Sequence, residues 1–373
     1  MSTEKSTIDR IDIAPRTTFA DASTPSPIAP SSVAAGHLGV DGEGAAPAQP
    51  DAALTAAAPT VVAHTEPDAA PTGADTPAAG LPASAGLRRL FALLEQRSPS
   101  LGGLLAERLW FRLPATPAAR TRAARTPPGG EAFQVQWGQG TVRGRVYGDW
   151  GNPTAYLVHG WGGWWQQLSA HVEPLVASGL CVVAFDAPSH GDSGAGAHGG
   201  RSTTFLEMGE ALAAVVAEFG RPTLVVAHSA GGLAAVHALG LGVRPDSLVL
   251  VAPPDGVEAM LPVFATALGV GPRSEQVMVR RTERRVGTPV AELDLLTMAA
   301  AQPSLPHLLV VHDRHDREAP LAGGVRVSDA WHDARLMVTE GLGHRRVLWS
   351  PEVVEHVTTF AAAAAERVRR SSR

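Results

Sequence analysis

The sequence predicts an α/β fold, a mostly parallel sheet with helices on both faces. Two observations predict it. From Thr154 onward, short apolar, β-branched runs alternate with stretches of helical spacing, the pattern of a parallel sheet with crossover helices. Runs such as 180–185 (LCVVAF) and 223–227 (TLVVA) are apolar almost throughout, as strands covered on both faces require. Right-handed crossovers then place the strand C-termini on one edge of the sheet, where chemistry gathers in such folds.

The elements follow in order. Residues 1–85 are mostly Ala, Pro, Thr, Ser and Gly, with too few large apolar side chains to offset the entropy of ordering them. They read as a disordered tail or tether. Residues 86–125 form an N-terminal helical segment. There Leu87, Leu90, Phe91 and Leu94, then Leu101, Leu104, Leu105 and Leu109, recur at helical spacing, with Ser98-Pro99-Ser100 as the break. Arg88, Arg89, Arg97, Arg108 and Arg112 lie between them. The helix pair either packs on the main domain or touches lipid headgroups.

The main domain is read as 126–373. Strands at 131–137 and 141–147 flank the turn Gly138-Gln139-Gly140. Strands at 154–158, 180–185, 223–227 and 247–251 then alternate with helices at 164–178, 202–219 and 231–239. An insertion at about 255–303 interrupts the series and reads as a helical cap over the active edge. Its basic run Arg280-Arg281-Thr282-Glu283-Arg284-Arg285 is either a solvated face or a holder of an anionic substrate group. Strands at 307–311 and 334–339 and a helix at 351–368 close the domain.

Composition narrows the function. The net charge is −5 over 373 residues with both signs mixed, so no basic patch argues for nucleic acid. The one cysteine, Cys181, sits in an apolar run and reads as a buried thiol. Lys5 is the only lysine, which removes Schiff-base and P-loop chemistry from the ordered part. Arginine-over-lysine usage and abundant alanine suggest a GC-rich bacterial genome. No apolar run approaches the roughly 18 residues of a membrane span, and the polar N-terminus has no secretory core. The expectation is a cytoplasmic enzyme.

The chemistry centres on 224–232, LVVAHSAGG. An apolar run, a serine between small residues at −2 (Ala227) and +2 (Gly231), and an alanine-rich segment read as strand, sharp turn and helix, with Ser229 at the apex. Such a turn needs small neighbours because the backbone doubles back on itself. A nucleophilic serine needs a base, an orienter for the base and an oxyanion site. His344, in Gly341-Leu342-Gly343-His344 after the last strand, is the candidate base. Asp313 and Asp316, in HDRHDREAP after the strand at 307–311, compete as the orienter that fixes the imidazole tautomer. The glycines of His159-Gly160-Trp161-Gly162-Gly163 let backbone N–H groups turn inward, and the N–H groups of Trp161 and Ala230 are the candidate oxyanion donors. His159, Trp164 and His228 are the candidate substrate-binding residues; His228 is a poor base because adjacent residues at such a turn point apart. Asp186 and His190, in FDAPSHGDS, read as loop braces. A metal held by His and Asp of that stretch is conceivable, but no H-x-x-x-H or H-x-E helix spacing there supports one, and no cofactor is expected.

In the order HGWGG, FDAPSHGDS, AHSAGG, HDRHDREAP, GLGH, the chain resembles the α/β-hydrolase superfamily, in its esterase-like or serine-aminopeptidase-like bacterial branch with a helical cap. The resemblance covers about 131–370. It implies an eight-stranded sheet, favours Asp316 over Asp313, and gives Ser229, Asp316 and His344 as a triad. Ala227 stands where the pattern has Gly, and Ser189 where Gly is usual in P-G-H-G. Neither departure removes a reactive group. The activity it implies is hydrolysis of a small-molecule carboxylic ester through an acyl-enzyme. Acyl transfer or amide hydrolysis on the same triad, and an inactive binding or anchoring module, are the alternatives. The sequence leaves the oligomeric state open.

Overall fold

The computed structural model describes residues 84–114, 126–138 and 140–371. The expected tail up to residue 83, residues 115–125 of the expected N-terminal helical segment and the turn residue Gln139 lie outside the described residues. Strands β1 (Glu131–Trp137), β2 (Gly140–Tyr147), β3 (Thr154–Val158), β4 (Cys181–Asp186), β5 (Pro222–His228), β6 (Ser247–Val251), β7 (His307–Asp313) and β8 (Ala334–Thr339) form one sheet in the order β1-β2-β4-β3-β5-β6-β7-β8. β1 and β2 run antiparallel to their neighbours; from β4 to β8 all pairings are parallel.

The period of two in the strands builds two cores. Tyr156, Val183, Val225, Leu248 and Leu308 face one side, packed against α4 (Phe205–Phe219) and α5 (Ala230–Gly240). Their neighbours Leu157, Val182, Val226, Val249 and Leu309 face the other, against α3 (Val172–Ala177) and α11 (Pro351–Ser371). Helix starts are specified locally. Thr204 and Glu207 make a reciprocal capping box at the head of α4. The helix expected at 164–178 is divided: a 3-10 turn, Trp165–His171, precedes α3, and Pro174 sits in the first turn of α3, where its missing N–H costs nothing.

The insertion after β6 is helical, as expected: α6 (Val257–Leu268), α7 (Pro272–Val286) and α8 (Leu295–Ala300). The N-terminal helices α1 (Ala85–Arg97) and α2 (Pro99–Trp110) do not stand on the sheet; they complete this cap. Gly102 and Gly103 let α2 press against α7, where a Cβ would fall 2.4 Å from Ser274 Oγ and from Val277 Cβ respectively. The Glu95 carboxylate accepts the N–H groups of Arg273 and Ser274 and the Ser274 hydroxyl, capping α7 across 178–179 positions of sequence. The basic run divides accordingly. Arg285 reaches Glu107 at 2.7 Å and stacks 4.4 Å over the Phe111 ring, and Arg281 approaches the same carboxylate, while Arg280 and Arg284 face solvent. Arg285 is thus committed to Glu107 and Arg281 stands partly exposed beside the same carboxylate, so Arg280 and Arg284 are the fully solvated members of the run.

Candidate active site

Ser229 follows β5 and precedes α5 at φ 53°, ψ −125°. A positive φ outside glycine costs about 1–3 kcal/mol and persists only where surrounding contacts impose it. Here the Ser229 N–H donates to Val251 O at 2.9 Å, continuing the sheet pairing by one residue, and Ser229 O accepts from Gly232 N–H at 2.8 Å. Gly231 is obligatory: a Cβ there would meet the carbonyl oxygens of His159 and Val158 at 2.6 and 2.7 Å. Ala227, two residues before the serine, is fully buried in the core on one face of β5, so its methyl has a place to go.

Three loops converge on Ser229. Gly341 and Gly343 take φ of 76° and 66°, turning the loop after β8 back over the sheet edge and delivering His344. His344 Nε2 lies 2.9 Å from Ser229 Oγ, and its Nδ1 lies 2.7 Å from Asp316 Oδ2. The other Asp316 oxygen accepts the N–H groups of Glu318 and Ala319 at 2.8 and 2.9 Å. Burial pushes the Asp316 carboxyl upward in pKa, but the His344 hydrogen bond and charge and the two N–H donors outweigh it. The carboxyl titrates below the ordinary range and stays ionised.

Asp313, the other aspartate of that loop, turns away. It accepts from Thr339 Oγ1, Leu342 N–H and His315 N–H, which ties the loop after β7 to the one carrying His344. Burial raises its pKa, and the N–H groups of Gly343, Leu342 and His315 with the Thr339 hydroxyl lower it further than burial raises it.

The loop after β3 approaches from the opposite side. Gly160 packs so tightly on the elbow that a Cβ would lie 3.0 Å from Ser229 Cβ and 3.1 Å from His228 Nδ1. Gly162 N–H donates to His190 Nε2, and a Cβ on Gly162 would meet Pro114 at 2.4 Å, so the chain leaving α2 reaches this loop. None of the loop and cap backbone bonds among the described residues takes the N–H of Trp161 or Ala230. The Ala230 N–H opens a helix and has no intrahelical acceptor. Asp186 and His190 act as braces: Asp186 accepts from Trp165 and Asp192 N–H groups, and burial pushes its pKa up to about 6.

The residues expected to bind substrate are two buried histidines and a half-buried tryptophan. His159 is buried with both ring nitrogens engaged, Nδ1 with Gly160 O and Nε2 accepting from Ala187 N–H. It braces the loop after β3, and no polar atom of its ring is left for a ligand. His228 is buried beneath His344, its Nε2–H donating to the His344 carbonyl and the rings 4.8 Å apart. Trp164 is half-buried, its indole N–H enclosed without a partner among the described residues. A further histidine, His312, which the sequence places in the loop after the strand at 307–311, lies within β7 instead. It lies behind the carboxylate, Nε2 donating to Ala319 O and 3.6 Å from Asp316 Oδ2.

A sequence model of the alpha/beta hydrolase family matches residues 155–357, from within β3 to within α11, more than half of the chain. The chain belongs to the alpha/beta hydrolase family. No curated protein matches the sequence. Solved structures of similar fold include a membrane phospholipase A described as a bacterial virulence factor, at 18% identity over 74% of this chain and 98% of that one, TM-score 0.50. A protein described as a candidate lipase from Acinetobacter baumannii AYE has 15% identity over 79% and 100%, TM-score 0.50. The esterase RhEst1 from Rhodococcus sp. ECU1013 has 16% identity over 63% and 99%, TM-score 0.47. At these identities the likeness is one of fold. The alpha/beta hydrolase sheet, with its strand C-termini on one edge, is thus the frame on which the loops of Ser229, Asp316 and His344 meet.

Proposed function

We propose that the protein is a serine hydrolase of carboxylic esters, working through an acyl-enzyme. The observation that carries this reading is the continuous chain Ser229 Oγ–His344 Nε2 at 2.9 Å and His344 Nδ1–Asp316 Oδ2 at 2.7 Å. Ser229 Oγ attacks the acyl carbon as its proton passes to His344 Nε2. Asp316 holds the Nδ1–H tautomer and stabilises the imidazolium. The oxyanion of the tetrahedral intermediate is received by the N–H groups of Trp161 and Ala230, donors typically worth about 3–4 kcal/mol when preorganised. Collapse breaks the acyl–oxygen bond, and the alcohol leaves with the proton from His344. Water, deprotonated by His344, then attacks the acyl-serine and frees the acid.

Covalent labelling by a fluorophosphonate tests this reading. The natural chain should be labelled and Ser229→Ala should not. Equal labelling of both would remove Ser229 from the mechanism, and no labelling with no turnover over a panel of p-nitrophenyl esters of graded chain length would leave a binding module. Product analysis with alcohol or amine acceptors present separates hydrolysis from acyl transfer.

A further inference from the structure

The helix pair at the head of the described chain is segregated in charge. Between residues 85 and 112 its acids are Glu95 and Glu107, and both turn inward, Glu95 onto the N-terminus of α7 and Glu107 onto Arg285. Its arginines, Arg88, Arg89, Arg97, Arg108 and Arg112, are all exposed, and none forms an ion pair among the described residues; Arg88 lies on the cap side of α1, its stem beside Gly269, and is not part of the outer face. The outer face of this pair is therefore cationic in a chain whose net charge is −5.

Large apolar side chains stand on the same face. Leu90, Leu93 and Leu101 are 41%, 50% and 55% exposed. At about 100° per residue, Arg89, Leu90, Leu93 and Arg97 fall within about 100° of arc on α1. Phe91, fully buried, points to the opposite side with Leu87 and Leu94 partly covered. One side of α1 thus packs on the cap, while the other offers leucines set among arginines.

We propose that this outer face docks on an anionic lipid surface. The charge selects an anionic partner. Leucines interleaved with the arginines select one that is apolar just beneath its charge, which describes a bilayer surface rather than a nucleic acid or a soluble anion. The helices lie along the surface rather than through it, since among the described residues no helix is long and apolar enough to cross a membrane. The inference does not depend on the hydrolase reading.

Flotation of the full chain with vesicles tests it. Phosphatidylcholine vesicles are compared with vesicles that also contain phosphatidylglycerol, at low and high salt. The protein should float with the anionic vesicles only, and less so as salt rises. Arg89→Gln with Arg97→Gln should lower the partition coefficient by at least about tenfold, at about 1 kcal/mol per arginine near the surface. Leu90→Ser with Leu93→Ser should also lower it. All four positions are exposed, so circular dichroism should show each variant folded. No flotation with anionic vesicles, or equal flotation with both kinds, overturns the proposal. So does flotation unchanged in the arginine pair, which puts the contact elsewhere on the chain. Flotation sensitive to the arginines but not to the leucines, matched by retention on heparin, also overturns it by making the face a general polyanion site.

Discussion

The Nε2 of His228 lies 2.9 Å from the carbonyl oxygen of His344, joining positions 116 residues apart. The residue before the proposed nucleophile therefore holds the backbone of the residue proposed as its base. Burial keeps the His228 imidazole neutral, with its pKa lowered to about 3, so Nε2–H is a steady donor and not a titrating one. Replacing His228 with Leu removes the tether and should lower kcat by about tenfold or more with KM little changed, because an ångström of drift between base and nucleophile is costly. Gln, whose amide N–H can reach the same carbonyl, should restore part of it. Steady-state kinetics of the two variants, beside their melting temperatures, checks this.

Asp316 and Asp313 sit three residues apart with different partners, and the two should separate experimentally. Asp316→Asn keeps the shape but favours the wrong imidazole tautomer, so kcat should fall by about 10⁴ with little change in KM. Asp313→Asn weakens the tie between the loops after β7 and β8 and should cost about 1–3 kcal/mol of stability with a much smaller loss of rate. Ester turnover and urea denaturation of both variants decide the assignment.

The elbow turn tolerates one methyl and not another. Gly231→Ala places a Cβ against the His159 and Val158 carbonyls and should cost about 1–3 kcal/mol and most fluorophosphonate labelling. Ala227→Gly should retain labelling, since the Ala227 methyl packs in the core.

Acid should destabilise the fold well above the range where carboxylates protonate. Burial holds His159 and His228 at about 3, and His171 and His190 at about 4. In the unfolded chain they bind protons below about pH 6.5. The unfolded state therefore carries more protons between about pH 6.5 and 4, and stability falls as pH falls through that window. Each histidine contributes roughly 2 kcal/mol at pH 5 relative to pH 8. Asp186, raised to about 6, acts in the opposite sense, as do Glu210 and Asp294, also raised by burial, while burial lowers His237 and His312 beside the four histidines above. Melting temperatures from pH 8 to pH 5 should drop steeply, and a flat profile would contradict the buried, neutral state of these rings.

The N-terminal helix pair should be a structural part of the cap. Glu95→Ala removes the acceptor for two α7 N–H groups and the Ser274 hydroxyl, and should cost about 1–2 kcal/mol. Hydrogen exchange should rise in the first turn of α7 rather than in the sheet. Unchanged protection of residues 273–276 would show that the carboxylate does not cap that helix.

The sequence by itself determined the sheet and the positions of its reactive loops. Alternation of apolar runs, the small residues around Ser229 and the glycines before His344 are local signals, because strand period, elbow sterics and positive φ each act within a few residues. Only tertiary structure decided between Asp313 and Asp316 geometrically, since both follow β7 and differ in which backbone N–H groups and which imidazole the fold brings to them. It likewise turned His159 and His228 inward, because which side of a ring is occupied depends on strands and loops far away in the chain. The helices at 85–110 joined the cap, not the sheet, through Glu95, Glu107 and two glycines whose partners lie some 170 to 180 residues on. Spacing along a helix tells which face is apolar; it carries no information about what that face will meet.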